Sequence, residues 1–195
     1  NYFFADSWIS NIVIPKHFYK IDDYAFYNCN NIVDFKFDED SELESFGYGV
    51  FWLSSLKSIT IPQHVKILFY QMFEQCGYLN EICFNENSEF ITFCKSFFSE
   101  SQVTTLYFPS KLETLEDGWS IWAFDLCDII ISPKNKNFKY LDSNNKIILG
   151  KSDKNSTVFD VVVFACRDIE SAIFPSYVKE IKDYAFSNCT ELKTL

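Results

Sequence analysis

A solenoid of short stacked parallel strands is the fold class this 195-residue chain predicts, and three periodicities carry it. Pro15, Pro62 and Pro109 recur every 47 residues. Phe26 and Phe73, Phe51 and Phe98, and Cys29 and Cys76 keep the same 47-residue step. The four Phe positions divide each block again, stepping by 25, 22 and 25 residues. Self-similarity at a fixed period marks a stack of small units, each too poor in apolar surface to fold alone.

The shorter unit reads Ile-x-Ile-Pro-x-x-Phe-x-x-Ile-x-x-x-Ala-Phe-x-x-Cys from Ile12 to Cys29. It returns as ITIPQHVKILFYQMFEQC from Ile59, as LYFPSKLETL from Leu106, and as AIFPSYVKEIKDYAFSNC from Ala172. The longer unit replaces Pro with an acidic loop, in FKFDEDSELESF at 35–46 and ICFNENSEFITF at 82–93. Alternation such as Ile12-x-Ile14 and Ile59-x-Ile61 is a strand with one buried face. Parallel strands are therefore expected at 9–14, 32–37, 56–61, 79–84, 103–108 and 169–174, neighbours in that order. Pro or the acidic loop ends each strand. A second apolar pair follows, such as Val65 and Leu68, then a turn carrying Ala-Phe. Phe26, Phe51, Phe73, Phe98, Phe124 and Phe186 should stack as one buried ladder. Three residues on, Cys29, Cys76, Cys127 and Cys189 share a slot with Ser54 and Ser101, which suits a small buried side chain. These thiols are read as buried and unpaired, while Cys83, between inward Ile82 and Phe84, should face outward.

Two stretches leave the pattern. Glu-Asp-Gly-Trp-Ser-Ile-Trp at 116–122 reads as an insertion that delays Ala123-Phe124 by four positions. Residues 132–168 read as an antiparallel excursion, with strands in 138–141, 146–149 and 157–164 and turns at 142–145 and 151–156. The expected organisation is repeats over 1–131, an inserted β segment of the same domain over 132–168, and resumed repeats over 169–195.

The motif L-x-x-I-x-I-P-x-x-V-x-x-I-x-x-x-A-F-x-x-C resembles the BspA-like leucine-rich repeat of bacterial and protozoan surface proteins. The units at 169–195 and 9–29 match it best, and the resemblance covers 9 to about 131 and 169–195. It implies a leucine-rich-repeat solenoid of α/β-type class, β-dominated, with parallel strands on the concave face and the antiparallel segment inserted. It also implies display on a cell surface or secretion, adhesion, and a protein or glycan ligand on a host or neighbouring cell.

Composition narrows the rest. Hydrophobic residues are 48% and aromatics 19%, enough for a packed core. Five Gly and five Pro argue against a loop-rich fold. A net charge of −10 disfavours nucleic acid and anionic membrane as partners. The most apolar stretch, 158–166, is short and broken by Asp160, so no membrane insertion is expected of this fragment. The chain begins Asn-Tyr-Phe-Phe-Ala-Asp rather than with Met or a signal peptide, and neither end reads as a polar cap, so a longer parent protein is expected.

No catalytic, cofactor or metal constellation emerges. His17 and His64 lie two units apart, roughly 10 Å at strand spacing, too far to share a metal ion. Gly47 and Gly49 lack the rest of a nucleotide-binding fingerprint. The loops 38–42 and 85–89 are oxygen-rich but match no Ca²⁺ ligand spacing, and solvated turns explain them equally. An enzymatic site in 132–168 would have no His and one Arg, Arg167, to work with. Asn155-Ser-Thr and Asn188-Cys-Thr are glycosylation sequons, of which Asn155, in an exposed turn, is the better acceptor.

What remains is a binding surface. The residue between the two inward positions of each strand points away from the core, giving the column Val13, Lys36, Thr60, Cys83, Tyr107 and Ile173. Its apolar members favour partner contact, although β-propensity alone would select similar residues. Trp119 and Trp122 are a second surface candidate, against the alternative that both fold back to cover the widened repeat. The function expected is a surface binding module, with a passive spacer as the alternative and an enzyme as the remoter one.

Overall fold

A computed structural model of the chain describes residues 2–141 and 145–195. Among them there is no helix. One line of four-residue strands comprises β1 (Asn11–Ile14), β3 (Asp34–Phe37), β5 (Ser58–Ile61), β7 (Glu81–Phe84), β9 (Thr105–Phe108) and β11 (Asp128–Ile131). A second line of two-residue strands comprises β2 (Lys20–Ile21), β4 (Ser45–Phe46), β6 (Ile67–Leu68), β8 (Thr92–Phe93) and β10 (Thr114–Leu115). All pairings within the two lines are parallel: β1–β3, β5–β7–β9–β11, β2–β4 and β6–β8–β10. The first five expected strands each form in their last four residues. The sixth does not: 169–174 contributes only a parallel bridge from Ser171 to Thr194, and the neighbour of β9 is β11.

A third ladder holds the turns together. The Phe26 amide donates to the Val50 carbonyl at 2.9 Å, Phe51 to Met72 at 3.0 Å, and Phe73 to Phe97 at 2.7 Å. Two residues before and two after each of these positions, and likewise around Phe98, the backbone is left-handed: Tyr24 and Asn28, Gly49 and Leu53, Gln71 and Gln75, Ser96 and Glu100. Most are not glycine, and such residues cost of order 1 kcal/mol or more each. The scarcity of glycine therefore did not signal a scarcity of turns. At Gly49 a side chain is also barred sterically, because a Cβ would lie 2.5 Å from the Tyr24 ring.

The strain is offset by what the turns bury. Phe4, Phe26, Phe51 and Phe73 stack in sequence with ring centroids 5.3, 5.6 and 5.6 Å apart, nearly parallel. That separation sits close to the strand spacing, so ring stacking and strand pairing share one repeat. Cys29 and Cys76 stitch adjacent units: their thiols donate to the Phe4 and Phe51 carbonyls at 3.0 and 2.9 Å, each 25 residues back.

The stretch 116–122 is not an insertion. Gly118 and Trp122 are left-handed 22 residues after Ser96 and Glu100, so the repeat runs through in register. Trp119 holds the Ala slot, Ser120 the Phe slot, and buried Ala123 the Cys slot. Phe124 is correspondingly 51% exposed and no part of the ladder, and Cys127 lies outside the Cys slot, next to β11. Trp119, 4% exposed, supplies the missing ring volume, 5.4 Å from Phe164. The small Ser120 leaves room for Arg167, the chain's single arginine. Its buried guanidinium donates to the carbonyls of Ser120 (2.9 Å), Ala123 (3.2 Å) and Ala165 (3.3 Å) and to Ser120 Oγ, and lies 4.8 Å over Phe164.

The antiparallel excursion forms from β12 (Lys139–Tyr140), β13 (Ile147–Gly150) and β14 (Val161–Ala165), after which β14 pairs in parallel with β15 (Glu180–Ile181). The turn expected at 142–145 lies, through residue 144, outside the described residues. This sheet separates two cores. Ile148, Phe164 and Cys166 pack into the main one, while Ile147, Leu149, Val162 and Ala165 face a second with Ile169, Ala172 and Ala185. Burial on both faces is why the Val-Val-Val-Phe-Ala run lacks alternation. Phe186 belongs to this second core, against Phe174, rather than to the main ladder. Buried Asp160 accepts hydrogen bonds from the amide and hydroxyl of Ser152 and pairs with Lys179 at 3.2 Å, and these donors hold its pKa down to about 2.

Phe73→Ala is expected to cost about 3–5 kcal/mol in denaturant unfolding, and Phe124→Ala about 0.5 kcal/mol or less. Because the Asp160 carboxyl titrates lower in the folded chain than its ordinary value of about 3.9, its stabilisation is complete above that pH. It is lost as pH falls from there towards about 2. Unfolding of Asp160→Asn should show less pH dependence across that interval than the parent, and equal slopes would contradict the assignment.

Candidate functional site

The outward residues of the first strand line form two rows. The paired registers set Val13 beside Lys36, Thr60 beside Cys83 and Tyr107 beside Ile130. The β7–β9 register, with Ile82 opposite Leu106, continues the row from Cys83 to Tyr107. Two residues earlier a parallel row reads Asn11, Asp34, Ser58, Glu81, Thr105 and Asp128. A mixed row with exposed aliphatics thus runs beside a wholly polar, partly acidic one. Val13 is 56% exposed and Ile130 54%, while Cys83 and Tyr107 are half-buried. Lys36 is held by Asp34 at 2.8 Å.

Five of the six expected column residues lie along one strand line, Val13 and Lys36 in one sheet and Thr60, Cys83 and Tyr107 in the next, because β3 and β5 stand side by side without the expected pairing. Ile173 is exposed but stands outside this line, beyond the antiparallel strands. Ile130 was missed, although Ile129-x-Ile131-Ser-Pro, 23 residues after the β9 pattern, carried the signal. Trp119 is interior and offers no contact surface. Trp122 is half-exposed, packed 6.0 Å from Phe124. The two histidines face the next acidic loops, His17 against Glu42 at 3.5 Å and His64 against Glu89 at 3.4 Å.

Among the described residues no group of three or more His, Cys, Asp or Glu side chains is placed to hold a metal ion. Burial pushes the Cys76, Cys94 and Cys166 thiols up to about 12, and burial together with Glu81 pushes Cys83 up to about 11. That is the reverse of an activated nucleophile. Among the described residues no helix is long and apolar enough to cross a membrane. Asn155 is exposed in the β13–β14 connection, whereas the Asn188 amide nitrogen is buried without a hydrogen-bond partner.

A family model for the BspA type leucine rich repeat region matches residues 1–131 and 119–195, with six copies. The chain belongs to this family. Solved structures of similar fold include the pneumococcal vaccine antigen PcpA, at TM-score 0.83 and 20% identity over 96% of this chain and 44% of that one. A leucine-rich repeat protein from Eubacterium ventriosum follows at TM-score 0.74 and 22% identity, over 95% of this chain and 47% of that one. A leucine rich cell surface protein from Faecalibacterium prausnitzii matches at TM-score 0.66 and 16% identity, over 97% and 61%. The chain thus spans under two thirds of the length of each. No curated protein sequence matches it. In this BspA-type stack the Cys slot is structural, a point the thiols can test. In native protein at pH 8, Cys76 should stay unlabelled by a maleimide, with Cys83 reacting slowly but ahead of it. All seven thiols should react once the chain is unfolded. Faster labelling of Cys76 than of Cys83 would reverse the assigned facing.

Proposed function

We propose that this chain is a binding module displayed on a cell surface, whose strand face receives a protein or glycan ligand on a host or neighbouring cell. The observation that carries the reading is the apolar part of the mixed row, from Cys83 and Tyr107 to Ile130, exposed or half-exposed on the sheet beside polar neighbours. Apolar centres rimmed by polar groups suit partner contact, and a half-buried Tyr offers large contact area at small entropic cost. The family's relatives support the setting: one solved relative is described as a cell surface protein and another as a vaccine antigen. Catalysis forms no part of the proposal, in line with the raised thiols and the repeat architecture.

The row is also what β-propensity would place on an exposed strand, so mutation has to decide. Beads coated with the chain should adhere to epithelial cells or to a film of matrix protein. Tyr107→Ala and Ile130→Asp should each lower adhesion at least tenfold with unchanged melting, while Trp122→Ala should not. Loss with Trp122→Ala alone would move the site to the 116–124 turn. Full adhesion by all three would place the site on neither surface, and a parent chain that does not adhere would be a passive spacer within a larger surface protein.

A further inference from the structure

The second strand line stops at β10. In the units before it, the next turn of the stack takes up two carbonyls: Tyr19 and Ile21 accept from Glu44 and Gly47, and Ile91 and Phe93 accept from Thr114 and Glu116. The equivalent carbonyls of Glu113 and Leu115 accept nothing among the described residues, because β12 turns away to pair with β13. The line is also unpaired between β4 and β6, but there the two strands still stand side by side. Beyond β10 the chain leaves a cleft of about 310 Å³ between the strand and the β13–β14 hairpin.

The cleft has a directional chemistry. Leu115, Phe138 and Val163 provide an apolar floor, and Gly150 keeps it open, since a Cβ there would lie 3.0 Å from Val163. Glu113, Glu116 and Asp117 lie on the β10 side, and Lys151, Lys154 and Lys182 stand on the other, with Asp183 as the one carboxylate among them. No ion pair joins the two walls among the described residues: Lys182 pairs with Glu180, and Lys151 lies 4.9 Å over the Phe159 ring. Lys151 and Lys154 belong to a wider asymmetry, for residues 132–168 carry net +3 in a chain of net −10, and Lys182 joins them from beyond β15. Opposite charges held apart over an apolar floor complement a ligand that carries both signs. A strand edge with free carbonyls complements a backbone.

We infer that this cleft binds an extended peptide segment bearing a basic and an acidic side chain, which adds as a strand to the open edge of β10. The backbone amides of the segment donate to the Glu113 and Leu115 carbonyls. Its basic side chain lies towards Glu113, Glu116 and Asp117, and its acidic one towards the three lysines. The site is separate from the strand face of the proposed adhesion function and stands or falls without it.

The test uses blocked pentapeptides of alternating Val and charged residues, in three sets: one Lys with one Glu, two Lys, and two Glu. Binding is followed by backbone amide shifts of the isotopically labelled chain. The mixed set should bind at least tenfold more tightly than either single-sign set, with shifts concentrated at Thr114, Leu115, Glu116 and Lys151. Methylating alternate peptide nitrogens should weaken binding at least tenfold, which side-chain docking alone would not produce. Val163→Trp, filling the floor, should do the same with unchanged melting, and Tyr107→Ala should leave affinity untouched. Equal binding of the three sets, tolerance of N-methylation, or shifts centred on the Tyr107 row would overturn the inference.

Discussion

The stack depends on a turn that places two left-handed residues around one buried slot. Each such turn aims an amide at the next unit and a ring into the interior, as Phe26, Phe51 and Phe73 do with nearly parallel, stacked rings about one strand spacing apart. A residue such as Leu53 or Gln71 does not adopt positive φ without cost, so the turn exists only where its neighbours over-determine it. Stability in this protein is therefore cooperative between adjacent units. The strained turn of one unit is held by the hydrogen bonds and rings of the next, as expected for a quasi-one-dimensional stack.

The same rule explains how the chain tolerates its own irregularity. Where Ser120 takes the Phe slot, the ring volume moves one residue back to Trp119, and the space released admits the Arg167 guanidinium. Burying that cation is unfavourable by itself, and burial pulls its pKa down. Three carbonyls, one hydroxyl and the Phe164 face compensate. Two of those carbonyls come from the 120–123 turn and one from β14, so the arginine fastens the antiparallel sheet to the repeats. Trp119, Ser120 and Arg167 form one packing unit assembled from sites 47 residues apart.

Most of the architecture was legible because the periodic signal is global. Isolated Ile12-x-Ile14 says little, but recurrence of the pattern fixed five of the six expected strands to within two residues. The failures came where a slot is defined by backbone rather than by residue type. Ala123-Phe124 looks like the Ala-Phe signature, yet the left-handed pair Gly118 and Trp122 sets the register, and only a Gly at 118 hinted at it. Reading the motif by its letters produced a false insertion, an exposed ladder residue in Phe124, and a surface role for a buried Trp119. The strand-face row was readable from alternation, except where the Pro after β11 comes one residue late, behind Ser132, and where 169–174 keeps its Pro in place without forming a strand.

A regular stack offers a partner only what repetition allows: a flat face with rows at strand spacing. Departures from repetition are where a solenoid acquires concave chemistry, because a unit that leaves the ladder exposes the edge its neighbour had used. Here the departure of β12 from β10 does this beside an antiparallel segment, 132–168, whose net charge is opposite to that of the repeats. The strand face depends on the repeat being kept, and the cleft depends on the repeat being broken. One chain of modest length thus presents two surfaces whose sequence requirements do not overlap: outward residues of β7, β9 and β11 for the first, and β10 with the β13–β14 hairpin for the second. Substitution at either leaves the shared aromatic column intact, so the two surfaces are free to change independently without loss of the stack that carries both.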